Sequence, residues 1–154
     1  MGDRANIVVD GQYTDPVFLY THWRGYAVPG ILQAALDRGR GRWGDTSYLT
    51  RIIFCDLIGD DTEGRTGFGI STRITDNEHP LLYVLDDWLN KGKGLVTLCP
   101  ADPNGVHGIG DPIGCGWTFE EYCAINLAAA GHAEFEHESE YDFLERLARE
   151  KPAP

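Results

Sequence analysis

A run of five residues, Tyr20-Thr21-His22-Trp23-Arg24, combines side chains that could hold an anionic ligand. His22 can donate a proton or act as a base, Trp23 offers a stacking surface, and Arg24 can clamp a carboxylate or phosphate. The run lies at the end of a predicted strand and just before a predicted helix, where free backbone N–H groups favour anions. A structural role is the alternative, in which Thr21 and His22 satisfy buried backbone groups and Trp23 fills the core.

Three further residues complete the predicted ligand site: Arg4, Asn6 and Arg51. Arg4 and Asn6 lie on the strand that is expected to pair with the one ending at His22, so their side chains can point toward the same area. All eight basic residues among the first 75 are arginines, whose planar fork suits carboxylate and phosphate. The alternative is that these arginines pair with acidic side chains of the second half of the chain.

Motifs for catalysis and for cofactors are weak. The glycine-rich stretch 108–114 lacks the spacing and the flanking strand and helix of a dinucleotide-binding loop. The spacing of histidine, cysteine and carboxylate residues matches no metal site, so neither a metal nor a cofactor is predicted. A small hydrolase is an alternative function, with His22 acting beside an acid such as Asp86 or Asp87.

The charge of the chain is acidic and unevenly distributed. Thirteen basic and 24 acidic residues give a formal net charge of −11, of which −1 belongs to residues 1–75 and −10 to residues 76–154. This balance disfavours general binding of nucleic acids and of anionic membrane surfaces. It is compatible with a different function, an acidic inhibitor that binds a basic surface of another protein.

The hydropathy of the chain indicates no membrane segment. No apolar run reaches the roughly 18 residues of a membrane span, and the first residues carry no apolar signal core. We therefore expect a cytoplasmic protein. The four cysteines form no C-x-x-C pair and are expected to be reduced and mostly buried, with Cys55 inside an apolar helix.

The hydrophobic pattern predicts an α+β fold. Short β-branched and aromatic runs predict five strands, at 5–9, 17–22, 67–74, 81–88 and 95–98. Capping residues followed by apolar residues at helical spacing predict four helices, at 29–38, from Asp45 or Thr46 to Gly59, from 118 to about 127, and from 139 to before Pro152. Clustered strands with short turns predict a mainly antiparallel sheet of about five strands with helices packed on one face.

A long connection separates the last predicted strand from the third helix. Residues 99–116 are mostly glycine, proline, aspartate and asparagine, which predicts an irregular segment that is either functional or mobile. No repeat, linker or change in composition divides the chain, so residues 1–154 are expected to form a single domain.

Three segments resemble a family of small uncharacterised bacteriophage and prophage proteins: Gly2-Asp3-Arg4-Ala5-Asn6-Ile7, Leu19-Tyr20-Thr21-His22-Trp23 and Leu82-Tyr83-Val84-Leu85-Asp86-Asp87-Trp88. Members of that family typically begin Gly-[Asp/Asn]-Arg-Ala, carry Tyr-x-His-Trp before a helical pair, and have a strand that ends in Asp-x-Trp. The similarity covers roughly residues 2–90. Arg24 departs from it, because relatives often place a small or polar residue there. The resemblance implies a phage origin, a location in the host cytoplasm and a role directed at the host.

Together these features favour a non-enzymatic, phage-type protein that binds a small anionic, nucleotide-like ligand at the His22-Trp23-Arg24 corner and sequesters a host defence signal. The expected partner is that ligand or a host protein, and the sequence leaves open a homo-oligomer. The acidic inhibitor and the small hydrolase are the two alternative functions.

Overall fold

A computed structural model shows a six-stranded sheet and describes residues 2–11, 15–74, 76–86, 93–131 and 137–153. The strands of the sheet are β1 (Ala5–Gly11), β2 (Val17–Thr21), β3 (Phe68–Ser71), β4 (Leu81–Asp86), β5 (Leu95–Cys99) and β7 (Trp117–Thr118), while β6 (Ala101–Val106) lies outside it. Their spatial order is β3-β2-β1-β4-β5-β7. The predicted α+β fold is confirmed, with one strand more than expected because β7 pairs with β5.

Four of the five neighbouring strand pairs are antiparallel, as predicted. β1 and β4 run parallel in the centre of the sheet, with Ile7 beside Leu82 and Gly11 beside Asp86. A parallel pair needs a crossover of a dozen or more residues, and the chain between β1 and β4 supplies one that contains two helices. The predicted end of β4 at 87–88 and most of the turn expected after it lie outside the described residues.

The helices cover one face of the sheet, as predicted. They are α1 (Val28–Arg38), α2 (Thr46–Ile58), α3 (Phe119–Ala124) and α4 (Glu140–Glu150). Their apolar sides pack against alternate strand residues that are fully buried, among them Ile7, Leu19, Leu82 and Val96. None of the helices in the described ranges is long and apolar enough to cross a membrane.

The helix ends follow the predicted capping residues. The Asp45 side chain accepts a backbone N–H in the first turn of α2, and Gly59, at φ +58°, ends that helix. Thr118 and Ser139 each form a capping box with the acidic residue three positions later, at the starts of α3 and α4. α3 ends at Ala124, earlier than predicted, because the chain continues through a short 3-10 helix.

The second face of the sheet carries a smaller core beneath residues 100–112, which we call the cover segment. The buried side chains of this face are Val8, Phe18, Leu81 and Cys99. Ile109 of the cover segment packs against them. The chain turns back after β6, and backbone hydrogen bonds hold the turn. Ala101 and Val106 of β6 each form a single β-bridge with Ile109. The connection that was expected to be irregular therefore contains a short hairpin that lies over the sheet.

The cysteines differ in exposure. Cys55 is exposed, which corrects the expectation that the apolar pattern of α2 buries it. The buried side of α2 is formed by Leu49, Ile53 and Leu57, and Cys55 lies on the opposite side. Cys99 is buried, and all four cysteines are free thiols.

Candidate ligand-binding site

The predicted corner at the end of β2 is held by contacts within the chain. The Tyr20 hydroxyl lies 3.0 Å from Nδ1 of His22, and the His22 and Trp23 rings meet edge to face with centroids 4.7 Å apart. The His22 N–H donates to the Gly67 carbonyl at 2.8 Å, which extends the pairing of β2 with β3. Trp23 covers Gly67, whose φ of +104° favours glycine. Because 49% of Trp23 is exposed, the ring covers a turn instead of filling the core.

Arg24 stabilises the end of α2. Its Nη1 donates to the Leu57 carbonyl at 2.9 Å, and its backbone N–H donates to Oγ1 of Thr21 at 3.1 Å. Leu57 O is one of the last four carbonyls of α2, which have no partner within the helix. The guanidinium therefore acts as a charged C-terminal cap.

Arg4 and Asn6 lie beside the end of β2, since β1 pairs with it in the predicted hairpin. The Arg4 guanidinium is 3.7 Å from Glu78 and 3.9 Å from Asp76, and the Arg4 N–H donates to the Glu78 carboxylate at 2.7 Å. Asn6 is buried, and its Nδ2 donates to the Asp76 carbonyl at 3.0 Å and to Oδ1 of Asn77 at 3.2 Å. Groups of residues 76–78 thus contact both side chains, while Nε of Arg4 and Oδ1 of Asn6 are buried and form no hydrogen bond with the described residues.

Arg51 lies apart, exposed on α2 with its Nη1 3.9 Å from Sγ of Cys55. No contact among the described residues joins it to His22 or Arg24. The structure brings Arg4, Asn6 and His22 to one strand end, directs Arg24 toward α2, and leaves Arg51 on that helix. None of the six predicted ligand residues lines either of the two clefts described below.

Other arginines of the first half also have acidic partners. Arg38 contacts the Asp56 carboxylate at 2.6 Å. Arg40 donates to Asp37 at 2.8 Å and to Glu120, and these hydrogen bonds raise its pKa further above the ordinary arginine value. Of these partners, Glu120 belongs to the second half of the chain, as the alternative expects, whereas Asp37 and Asp56 belong to the first half.

The proposed hydrolase pair of His22 and Asp86 does not form. The strand register places Thr21 beside Ala5 at the start of β1, and Asp86 beside Gly11 at its end. Six residue steps along a strand separate the two by about 20 Å. Asp86 is buried and accepts a hydrogen bond from the Thr46 hydroxyl, and Asp87 lies outside the described residues.

A cleft of about 600 Å³ lies between the second face of the sheet and the cover segment. Its apolar lining includes Pro16, Leu85, Val106, Ile109 and Pro112. Its polar lining includes Asp10, Asp15, Tyr83, Thr97 and His107. This volume and this mixture of apolar walls with a few polar groups are typical of sites for small organic molecules.

Two polar side chains of the cleft floor are joined. The Tyr83 hydroxyl donates a hydrogen bond to Oδ2 of Asp10. Tyr83 lies beside Val8, so Asp10 is its diagonal neighbour on the same sheet face. Burial raises the pKa of Tyr83 well above its ordinary value, and the hydrogen bond to Asp10 raises that pKa further. Tyr83 therefore stays a hydroxyl donor at neutral pH.

The remaining reactive groups of the cleft lining are Cys99 and His107. Burial raises the pKa of the Cys99 thiol to about 11, and the nearby charge of Asp111 adds to this rise. Such a thiol is a poor nucleophile at neutral pH. His107 is exposed at the turn of the cover segment, where its φ of +57° is unusual for a residue other than glycine. The described lining can thus hold a ligand but shows no activated nucleophile.

A second cleft, of about 640 Å³, lies between α1 and the start of α4. Tyr26, Ile31, Ala34 and Glu140 are among its lining residues. Burial raises the pKa of Glu140. Small and alkyl side chains dominate this lining, so it offers fewer polar anchors than the first cleft.

Sequence reasoning missed the first cleft because its residues come from four separate segments. Alternation along a strand does place Asp10 on the face opposite Ile7 and Val9. The parallel pairing of β1 with β4 then brings Tyr83 next to Asp10, and this pairing has no local sequence signal. The long connection at 99–116 was the one sequence feature that indicated a functional segment in this region.

Comparison with protein-family models, curated proteins and solved structures found no match for this chain. Among the described residues, no three histidine, cysteine or carboxylate side chains are grouped so that they could hold a metal ion. The site therefore has to be interpreted from its own geometry.

Proposed function

We propose that this protein binds a small organic molecule in the cleft beneath the cover segment and does not convert it chemically. The observation that supports this proposal most is that one cleft of about 600 Å³ combines an apolar wall with the hydrogen-bonded pair of Tyr83 and Asp10. Leu85 and Ile109 can bury an apolar body, and the polar pair can orient a ligand through hydrogen bonds.

This ligand differs from the anion that the sequence predicts at the end of β2. Arg24 is bonded to a helix end and Arg4 to acidic side chains. No lysine or arginine is among the described residues that line the cleft. A nucleotide-like ligand, a phage origin and interference with host defence stay predictions.

The experiment is a fragment screen by saturation-transfer NMR on the wild-type protein and two variants. Thr97→Phe places a ring in the cleft beside Tyr83, because Thr97 is the cross-strand partner of Tyr83. Ala34→Trp places a ring at the second cleft instead and serves as the control.

We expect fragments whose signals disappear in Thr97→Phe and persist in Ala34→Trp. Thermal unfolding of each variant shows whether the sheet is intact, and fragments that bind only the folded state raise the melting temperature of the wild type. The proposal is wrong if no fragment binds, or if binding survives in a folded Thr97→Phe protein and is lost in Ala34→Trp.

A further inference from the structure

We propose that the cleft selects organic molecules that carry a protonated amine on an apolar or aromatic body, with Asp10 as the charge partner. This inference rests on the proposed small-molecule function and adds the chemical class of the ligand. It follows from the charges, the hydrogen bonds and the shape of the cleft.

The fixed charges of the cleft lining are negative. Asp10 and Asp15 both line the cleft, and no described lining residue is a lysine or arginine. The charge of Asp111 reaches the same region, because it acts on the Cys99 thiol of the cleft wall. An anionic ligand would meet like charges here, whereas a cation is attracted.

The carboxylate of Asp10 can accept further hydrogen bonds. A carboxylate offers about four lone-pair sites, and the described contacts of Asp10 use one of them for the Tyr83 hydroxyl. An ammonium group has N–H donors and no acceptor, so it complements the remaining sites. Asp10 is partly buried, which weakens the screening of this attraction by solvent.

The cleft lining suits an organic amine better than a metal ion. The described residues provide no group of three metal-ligating side chains. Instead, Leu85, Val106 and Ile109 supply an apolar wall, which a bare cation cannot use. A ligand that joins an apolar body to an ammonium group would contact the apolar wall with the first and Asp10 with the second.

The test compares three molecules of similar size and different charge: 2-phenylethylamine, 2-phenylethanol and 3-phenylpropionate. Their dissociation constants are measured by chemical-shift titration of the wild-type protein at about pH 8, where histidine side chains are ordinarily neutral. We expect the amine to bind at least about tenfold more tightly than the carboxylate, with the alcohol between them.

Two variants locate the origin of this preference. Asp10→Asn removes the charge and should reduce the preference for the amine to about threefold or less. Tyr83→Phe removes the hydroxyl and leaves the carboxylate, so the preference should remain. If Asp10→Asn does not fold, Asp10→Ser takes its place, because it removes the same charge and keeps a hydroxyl acceptor.

Equal or tighter binding of the carboxylate overturns this inference, and so does a preference that Asp10→Asn leaves unchanged. The fragment screen distinguishes the two proposals. If none of the three molecules binds while the screen finds fragments that Thr97→Phe displaces, only the preference for amines is wrong. If the screen finds none either, the small-molecule function is wrong as well.

Discussion

Replacing Arg24 by alanine should destabilise the protein and leave ligand binding unchanged. Nη1 of Arg24 donates to the Leu57 carbonyl at 2.9 Å, and Leu57 itself is fully buried. A hydrogen bond from a charged donor contributes about 1.5–3 kcal/mol, and a cation at a helix C-terminus adds about 0.3–1 kcal/mol. Because Arg24 is only half-buried, we expect the lower part of this range, a loss of about 2 kcal/mol in the free energy of unfolding.

The assay is urea unfolding followed by circular dichroism, together with thermal melting. For a chain of this length, a loss of about 2 kcal/mol lowers the melting temperature by about 4–8 °C. Arg24→Lys keeps the charge but loses the planar fork, so it should lose about half as much stability. Arg65→Ala is the control, because Arg65 is exposed and should change stability by no more than about 0.5 kcal/mol. The reasoning is refuted if Arg24→Ala unfolds like Arg65→Ala, or if it abolishes binding of cleft ligands in a protein of normal stability.

Three further predictions concern other parts of the fold. Gly114→Ala should lower the free energy of unfolding by roughly 2–4 kcal/mol, because φ of Gly114 is +65° and a Cβ there would overlap the backbone of α4. Urea unfolding measures this loss, and unchanged stability would contradict the described packing. Cys55 should react with Ellman's reagent at about pH 8 at least about tenfold faster than Cys99, because Cys99 is buried and has a pKa of about 11. Mass spectrometry of the modified cysteines measures the two rates, and equal rates would contradict the prediction. Hydrogen bonds from Arg146 lower the pKa of Glu138 in the folded state. The stability that this pair contributes is therefore present above the ordinary glutamate pKa of about 4.3, and it is lost as the pH falls through the lower pKa of the folded state. Urea unfolding between about pH 5 and about pH 3 should show a smaller acid loss in Glu138→Gln than in the wild type, and identical losses would exclude the pair as a source.

The fold class could be predicted because its signals are local. Asp45 and Gly59 limit α2 by capping chemistry, and Thr118 and Ser139 begin their helices for the same reason. The parallel pairing of β1 with β4 could not be predicted, because it depends on how the intervening helices pack and not on either strand alone.

The candidate site was harder to predict than the fold. The pairing of β1 with β2 does bring Arg4 and Asn6 beside the end of β2, but the partners of the arginines lie far along the chain. Arg24 meets Leu57 after 33 positions, and Arg4 meets Glu78 after 74. Side-chain type indicated that these arginines could hold an anion, whereas the structure shows which groups of the protein they contact.

The central claim is that the cleft under the cover segment, and not the end of β2, binds the ligand. The most direct measurement is an NMR chemical-shift map of the protein titrated with 2-phenylethylamine. We predict that the largest amide shifts lie at Leu85, Thr97 and Ile109, which surround the cleft. Largest shifts at His22 and Trp23, with the cleft residues unchanged, would contradict the account.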